Sequence, residues 1–144
     1  MNKRCENIYK TARKNAGMTQ EEAAGLLFIS SRALTDYETG RTIPSDETVC
    51  RMIEIYHAPW LGYQHLKQST EVGRRFLPDL NISDLARSIL KLQKEIKDVE
   101  NINNDLIEIG CDGIIDDTEK DKWALATKEI DEMAGAALAV IFAR

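Results

Sequence analysis

The feature that most constrains how this chain folds is the close succession of helix stops and starts in its first half. Gly17, Gly40 and the pair Pro44-Ser45 interrupt the chain, and side chains suited to begin a helix stand beside them. Thr19, with Glu22 three residues on, is a capping box: the threonine accepts a backbone N–H and the glutamate returns to the N–H of the threonine. Ser30 and Ser45 offer further caps. Pro59 suits a first-turn position, because its missing N–H is one that a helix start leaves unpaired anyway. Between these marks the apolar side chains recur at helical spacing: Ile8, Ala12 and Ala16, then Ala23, Ala24 and Leu27, then Leu34 and Tyr37, then Val49, Met52, Ile53 and Tyr56, then Trp60, Tyr63 and Leu66. The expected result is five short helices, the first over residues 6–16. No stretch alternates as a half-buried strand does, so the fold class is all-α.

The second half follows a different pattern. Ser69-Thr70, Gly73, Arg74-Arg75 and Pro78 read as a connector over residues 69–80. Beyond it Ile82, Leu85, Ile89, Leu92, Ile96, Val99, Asn103 and Leu106 fall at alternating three- and four-residue intervals, a heptad with one polar interruption. Trp123, Ala126, Ile130, Met133, Ala137 and Val140 repeat the alternation. These spacings predict a long helix over 82–108 and a second one folding back as a hairpin. The chain is accordingly divided into a five-helix domain over 1–68, a connector over 69–80 and a helical hairpin over 81–144.

Charge and chemistry narrow the function classes. The net charge of −5 rules out a chain that is basic throughout, yet residues 1–70 carry nine Lys/Arg against eight Asp/Glu while residues 71–144 carry ten against sixteen. Five basic side chains and one acidic one fall within the first fourteen residues. A nucleic-acid contact therefore belongs to the N-terminal half. No apolar run approaches the roughly 18 residues of a membrane span, and the start Met-Asn-Lys-Arg-Cys-Glu-Asn lacks the apolar core of a secretion signal. A cytoplasmic protein with no membrane partner is expected. Cys5, Cys50 and Cys111 are odd in number and far apart, which suits reduced thiols. The two histidines, His57 and His65, form no metal-type spacing with them. With no Gly-rich phosphate loop and no nucleophile near a base, neither an enzyme nor a bound cofactor is expected.

Helices two and three belong together. A capped helix of about two turns, a three-residue break and another capped helix make the helix-turn-helix arrangement. The first helix of such a pair crosses the DNA backbone, and the second lays its N-terminal side chains along base edges in the major groove. The stretches Gly-Met-Thr-Gln-Glu-Glu-Ala-Ala (17–24), Ile-Ser (29–30) and Tyr-Glu-Thr-Gly-Arg-Thr-Ile-Pro-Ser (37–45) resemble the Cro/repressor-type, or Xre-like, regulators, over residues 6–57. That resemblance implies a five-helix domain, operator binding as a dimer and transcriptional control, often in phages and mobile elements.

The resemblance also implies residue roles. Gln20 would grip a phosphate, a role its place at a helix N-terminus suits. Arg13 and Glu38 match a buried ion pair tying the first helix to the end of the third, Arg41 matches a phosphate contact, and Ser31, Arg32, Thr35 and Asp36 match the positions that read bases. Arg32 is the best suited of these, since a guanidinium reaches both O6 and N7 of guanine. Asp36 fits a negatively charged groove if it accepts from a cytosine amino group or orients Arg32. Two departures from the family pattern stand out. Phe28 occupies a turn position where glycine is usual, and Gly25 and Leu26 replace a polar pair, making an apolar patch.

Double-stranded DNA is thus the expected partner, bound by a homodimer whose half-sites lie about 34–36 Å apart on a palindrome. Residues 82–144 are the expected dimer element, with Asn103 setting register in the seam. Ala134 to Ala137 are small enough for close packing of the last helix within one chain, and two hairpins pairing would make a four-helix bundle. A second class of function stays open: an adaptor that binds a protein partner through the hairpin, its helix-turn-helix no longer reading DNA. Residues 108–119 add a smaller question. Placed as a calcium loop, Gly113 is sixth and Asp112, Asp116 and Glu119 are fifth, ninth and twelfth, but Glu108 stands first and Gly110, at the third place, offers no side chain. The stretch reads better as the corner of the hairpin, with Gly113 bending it, Ile115 anchoring it to the core and Asp117 or Thr118 capping the last helix.

Overall fold

A computed structural model describes residues 7–143, so Lys3, Arg4, Cys5 and Glu6, on which the sequence reading drew, lie outside the described residues. The described chain is all-α and forms two compact units, one ending at Leu77 and the other beginning at Pro78. The first contains α1 (Ile8–Asn15), α2 (Gln20–Leu27), α3 (Ser31–Glu38), α4 (Asp46–Tyr56), α5 (Trp60–Ser69) and α6 (Glu71–Phe76). The second contains α7 (Leu85–Asn101), α8 (Asn103–Gly110) and α9 (Lys120–Ile141).

In the first unit the helices begin where a side chain can take up orphan amides. Asn7, Thr19, Ser30 and Ser45 each accept backbone N–H groups of the following turn. They end with left-handed residues. Gly17 (φ 71°) and Gly40 (φ 74°) do so freely, whereas Phe28 (φ 56°) and His57 (φ 51°) adopt the same conformation with a side chain in place. The closing hydrogen bonds, Ile29 N–H to Ala24 O at 3.1 Å and Ala58 N–H to Ile53 O at 3.1 Å, satisfy carbonyls that would otherwise be orphaned. Leu27, Leu34, Met52, Tyr56 and Leu61 are wholly buried and fill the centre of the unit. Each large apolar side chain so buried contributes about 1.5–3 kcal/mol. A polar chain crosses this core as well: the Tyr9 hydroxyl lies 2.7 Å from His65 Nδ1, and His65 Nε2 lies 3.0 Å from Asp46 Oδ1, joining α1, α5 and α4. Burial pushes the Tyr9 phenol up to about 12.

Several expectations change. The connector is not irregular throughout, because Thr70 accepts the Gly73 N–H and starts α6. The long helix begins later, at Leu85, where Asp84 caps it, and it breaks at Ile102 (φ −100°, ψ 4°). Three asparagines flank that break, Asn101, Asn103 and Asn104, and their short polar side chains compete with helical backbone bonding. Asn103 is exposed and lies in no core seam. Ile115 is 40% exposed, so it does not anchor the corner. Nor do Asp117 and Thr118 cap α9, which starts after Glu119; the turn before it is held by Asp116.

In the second unit α7 packs along α9, but the buried line is composed of small and polar residues: Ser88 and Glu95 from α7, and Ala126, Gly135, Ala136 and Ala139 from α9. A Cβ on Gly135 would stand 2.4 Å from the Asp79 carbonyl oxygen, so this glycine admits the segment leading into α7. The heptad side chains Ile82, Leu85 and Ile89 remain 40–48% exposed, and Leu90 and Leu125 are more so. Among the described residues no helix is long and apolar enough to cross a membrane.

Candidate nucleic-acid interface

The capping box of α2 forms in full. Glu22 N–H donates to Thr19 Oγ1 at 3.2 Å and Thr19 N–H donates back to Glu22 Oε2 at 2.8 Å; that N–H and the Thr19 hydroxyl, at 2.9 Å from the same oxygen, hold the Glu22 carboxyl below its ordinary range. The turn Phe28-Ile29-Ser30 then redirects the chain, and Ser30 Oγ accepts the Ala33 N–H at 3.1 Å to open α3. Phe28 keeps the turn geometry that glycine would give, but its ring is 86% exposed.

The orientation of this pair is set from beneath. Arg13 of α1 meets Glu38 at the end of α3 with a forked contact, Nε to Oε1 at 2.5 Å and Nη2 to Oε2 at 2.9 Å, and Nη1 donates to the Met18 carbonyl at 2.7 Å. Both side chains are buried. Burial pushes the Glu38 carboxyl up, but hydrogen bonds from Arg13 and Gln20, with the charges of Arg13 and Lys10, outweigh it and leave the group below its ordinary value. The Arg13 guanidinium is raised, first by its hydrogen bonds to Glu38 and against the effect of burial. Gln20 Nε2 donates to Glu38 Oε2 at 2.8 Å, so the first residue of α2 is tied into the same network. A carboxylate can only accept, which settles which end of the glutamine amide faces it. A phosphate at this helix start would therefore meet the remaining amide hydrogen of Gln20 and the backbone N–H groups of the first turn.

Asn7 supplies a second clamp that the sequence reading did not single out: Nδ2 donates to the Tyr37 carbonyl at 2.8 Å while Oδ1 caps α1. An asparagine just before a helical stretch was its only sequence signal.

On the outer side, Ser31 and Arg32 are exposed on the first turn of α3, and Thr35 and Asp36 lie half-buried one turn on. The Thr35 hydroxyl donates to the Ser31 carbonyl at 2.8 Å. The Asp36 carboxylate faces Arg41 Nη1 at 3.5 Å, and its carbonyl accepts the Arg41 N–H at 2.9 Å. In this state Asp36 orients Arg41, the expected phosphate contact. The four expected base readers thus share one face of α3, and Gln20 and Arg41 belong to the elements that flank it.

Asp112, Asp116 and Glu119 are not gathered as metal ligands. Asp116 Oδ1 accepts the Thr118 hydroxyl at 2.6 Å and the N–H groups of Thr118 and Glu119, which lower its carboxyl, while Glu119 Oε2 accepts the Asp116 N–H at 3.1 Å. Asp112 caps its own turn through the Ile114 N–H at 3.0 Å.

Comparison with known proteins gives two similarities. Residues 10–60 match the family described as helix-turn-helix domain. The chain is also similar to the HTH-type transcriptional regulator ImmR of Bacillus subtilis (strain 168), with 30% identity over 93 residues, which cover 65% of this chain and 68% of that protein. No solved structure matches.

Proposed function

The chain belongs to the helix-turn-helix transcriptional regulators, DNA-binding proteins and not enzymes, and from that premise we propose that it is a repressor of the phage or mobile-element type, acting in the cytoplasm on a palindromic operator as a homodimer. In this reading α3 enters the major groove. Ser31, Arg32, Thr35 and Asp36 meet base edges, and Gln20 and Arg41 meet phosphates on either side. The observation that carries it is the contrast between the two sides of α3. One end is locked by the buried Arg13–Glu38–Gln20 network, and the first turn, which holds no acidic residue of its own, presents Ser31 and Arg32 to solvent. Rigid support under exposed readers is what base recognition requires.

The dimer rests on the hairpin. Ile82, Leu85 and Ile89 continue the heptad of α7 yet are 40–48% exposed, and α9 adds Trp123 and Leu125 to the uncovered apolar surface. A second hairpin laid on these side chains would remove that surface from water and complete a bundle.

Selection of bound sequences from random DNA tests the assignment. The wild-type chain is expected to yield a two-fold symmetric motif. Arg32→Ala should relax the preference at one position in each half, with a loss of about 1–3 kcal/mol per reading contact, while Gln20→Ala should weaken binding to all sequences alike and Arg41→Ala should do the same and also flatten its salt dependence. A selection that yields no motif refutes the repressor reading and leaves the adaptor. A motif without symmetry, or a monomeric mass by light scattering at the binding concentration, refutes the dimer.

A further inference from the structure

Packing of α9 on α7 buries a charge that the hairpin itself does not satisfy. Glu95 is 4% exposed, and its Oε2 is buried without a hydrogen-bond partner. Its Oε1 faces Lys94 Nζ at 3.5 Å, but that ammonium lies closer to Asp98, at 2.7 Å. A buried carboxylate with an empty lone pair is costly to keep ionised, and a fold retains one only when something offsets it.

Glu129 and Glu132 of α9 stand opposite. One carboxylate oxygen from each of Glu95, Glu129 and Glu132 lies within 4.8 Å of the other two. Lys128 lies 3.6 Å from Glu129 and 3.1 Å from Glu132, but its side chain is 62% exposed, so it can turn to water. The groove beside Glu95, about 400 Å³ and lined also by Asp79, Asn81, Lys91, Lys128, Asp131 and Glu132, has room for water ligands.

We propose that Glu95, Glu129 and Glu132 form a site for a hard divalent cation, calcium by its tolerance of irregular oxygen ligation. Three carboxylates with no histidine or cysteine select an oxygen-loving ion. Oxygens bonded to one calcium at about 2.3–2.6 Å stand at most about 5 Å apart, a limit that these three meet, and small side-chain adjustments bring them to bonding distance. Calcium accepts irregular sets of about six to eight oxygens, whereas magnesium demands a near-ideal octahedron and sheds its waters reluctantly, so carboxylates placed by the packing of two helices suit calcium better. The ion would occupy the open lone pair of Glu95 and cross-link the middle of α7 to α9. The site is separate from residues 108–119, and it stands or falls independently of operator binding.

Calorimetric titration of the full chain with calcium chloride at constant ionic strength, paired with thermal unfolding, tests it. The wild type is expected to bind one calcium per chain with its unfolding midpoint raised, and to bind magnesium at least tenfold more weakly. Glu95→Gln should abolish both the heat and the shift. Glu129→Gln and Glu132→Gln, at positions more accessible than Glu95, should each weaken binding at least tenfold with the urea midpoint in the absence of calcium checked alongside, and Asp116→Asn should leave it unchanged. No calcium heat up to about 10 mM, above the range of the weakest calcium modules, overturns the proposal. So does wild-type affinity in Glu129→Gln and Glu132→Gln, or loss of binding in Asp116→Asn.

Discussion

Removing Glu38 tests the support beneath the recognition helix most directly. Glu38 accepts from Arg13 Nε, Arg13 Nη2 and Gln20 Nε2, and the side chains of Arg13 and Glu38 are 9% and 2% exposed, so solvent neither screens the pair nor replaces a lost partner. Glu38→Ala leaves the Arg13 guanidinium buried with the Met18 carbonyl as its remaining acceptor. Such a break costs about 3–5 kcal/mol, a large part of the roughly 5–15 kcal/mol that holds a domain together. The double variant Arg13→Met with Glu38→Leu removes both charges and fills the space with apolar side chains. It should return to within about 1 kcal/mol of the wild type. Urea unfolding followed by circular dichroism, on wild type, Glu38→Ala, the singles Arg13→Met and Glu38→Leu, and their double, gives the cost and the coupling energy. A cost below about 1 kcal/mol for Glu38→Ala, or a double variant as unstable as the single one, would refute the reasoning. Acid adds a second readout. The Glu38 carboxyl in the folded chain lies below the ordinary range of a glutamate, so its contribution is complete above that range and is lost as pH falls through the folded value. Glu38→Gln should flatten that part of the acid limb of the stability curve.

Phe28→Gly is expected to raise stability by about 0.5–1 kcal/mol, because relief of a left-handed side chain, about 1–2 kcal/mol, exceeds the added chain entropy of glycine, and a ring 86% exposed has little burial to lose; a fall in the urea midpoint would reveal a contact that its exposure does not suggest. Gly135→Ala and Gly25→Ala should move in opposite directions: the new Cβ at Gly135 meets the Asp79 carbonyl oxygen at 2.4 Å and should cost about 1–2 kcal/mol net of helix propensity, whereas at Gly25 nothing lies within 4 Å and the gain should be about 0.5–1 kcal/mol, both read from thermal midpoints.

Much of the first unit was legible in the chain because its signals are local. Caps at Thr19, Ser30 and Ser45 act within one turn, and so they mark where helices begin whatever the rest of the fold does. The second stop was harder to read. Phe28 is left-handed with no glycine to announce it, and the closing bond from Ile29 to Ala24 outweighs its backbone preference. The small helix α6 was hidden by Gly73 and the arginine pair, although Gly73 is needed there: a Cβ would meet the Leu66 carbonyl oxygen at 2.1 Å. In the second unit, apolar periodicity correctly marked α7 and α9 but not the face they turn to each other. The heptad predicts a seam of isoleucine and leucine; packing instead buries Ser88, Glu95 and a line of alanines and leaves much of that seam in contact with water.

The division follows from the range of the forces. By itself the sequence determined an all-helical chain, the order of the helices around the turn, and the residue types set out along α3, since hydrogen bonds within a turn and the family pattern both reside in neighbouring residues. Only tertiary structure decided that Gln20 shares an acceptor with Arg13, that Asp36 faces Arg41, and that Glu95 meets Glu129 and Glu132 across two helices. Those meetings join side chains distant in sequence, and they exist because backbone packing, set by close contacts such as that of Gly135 with Asp79, brings their carriers together.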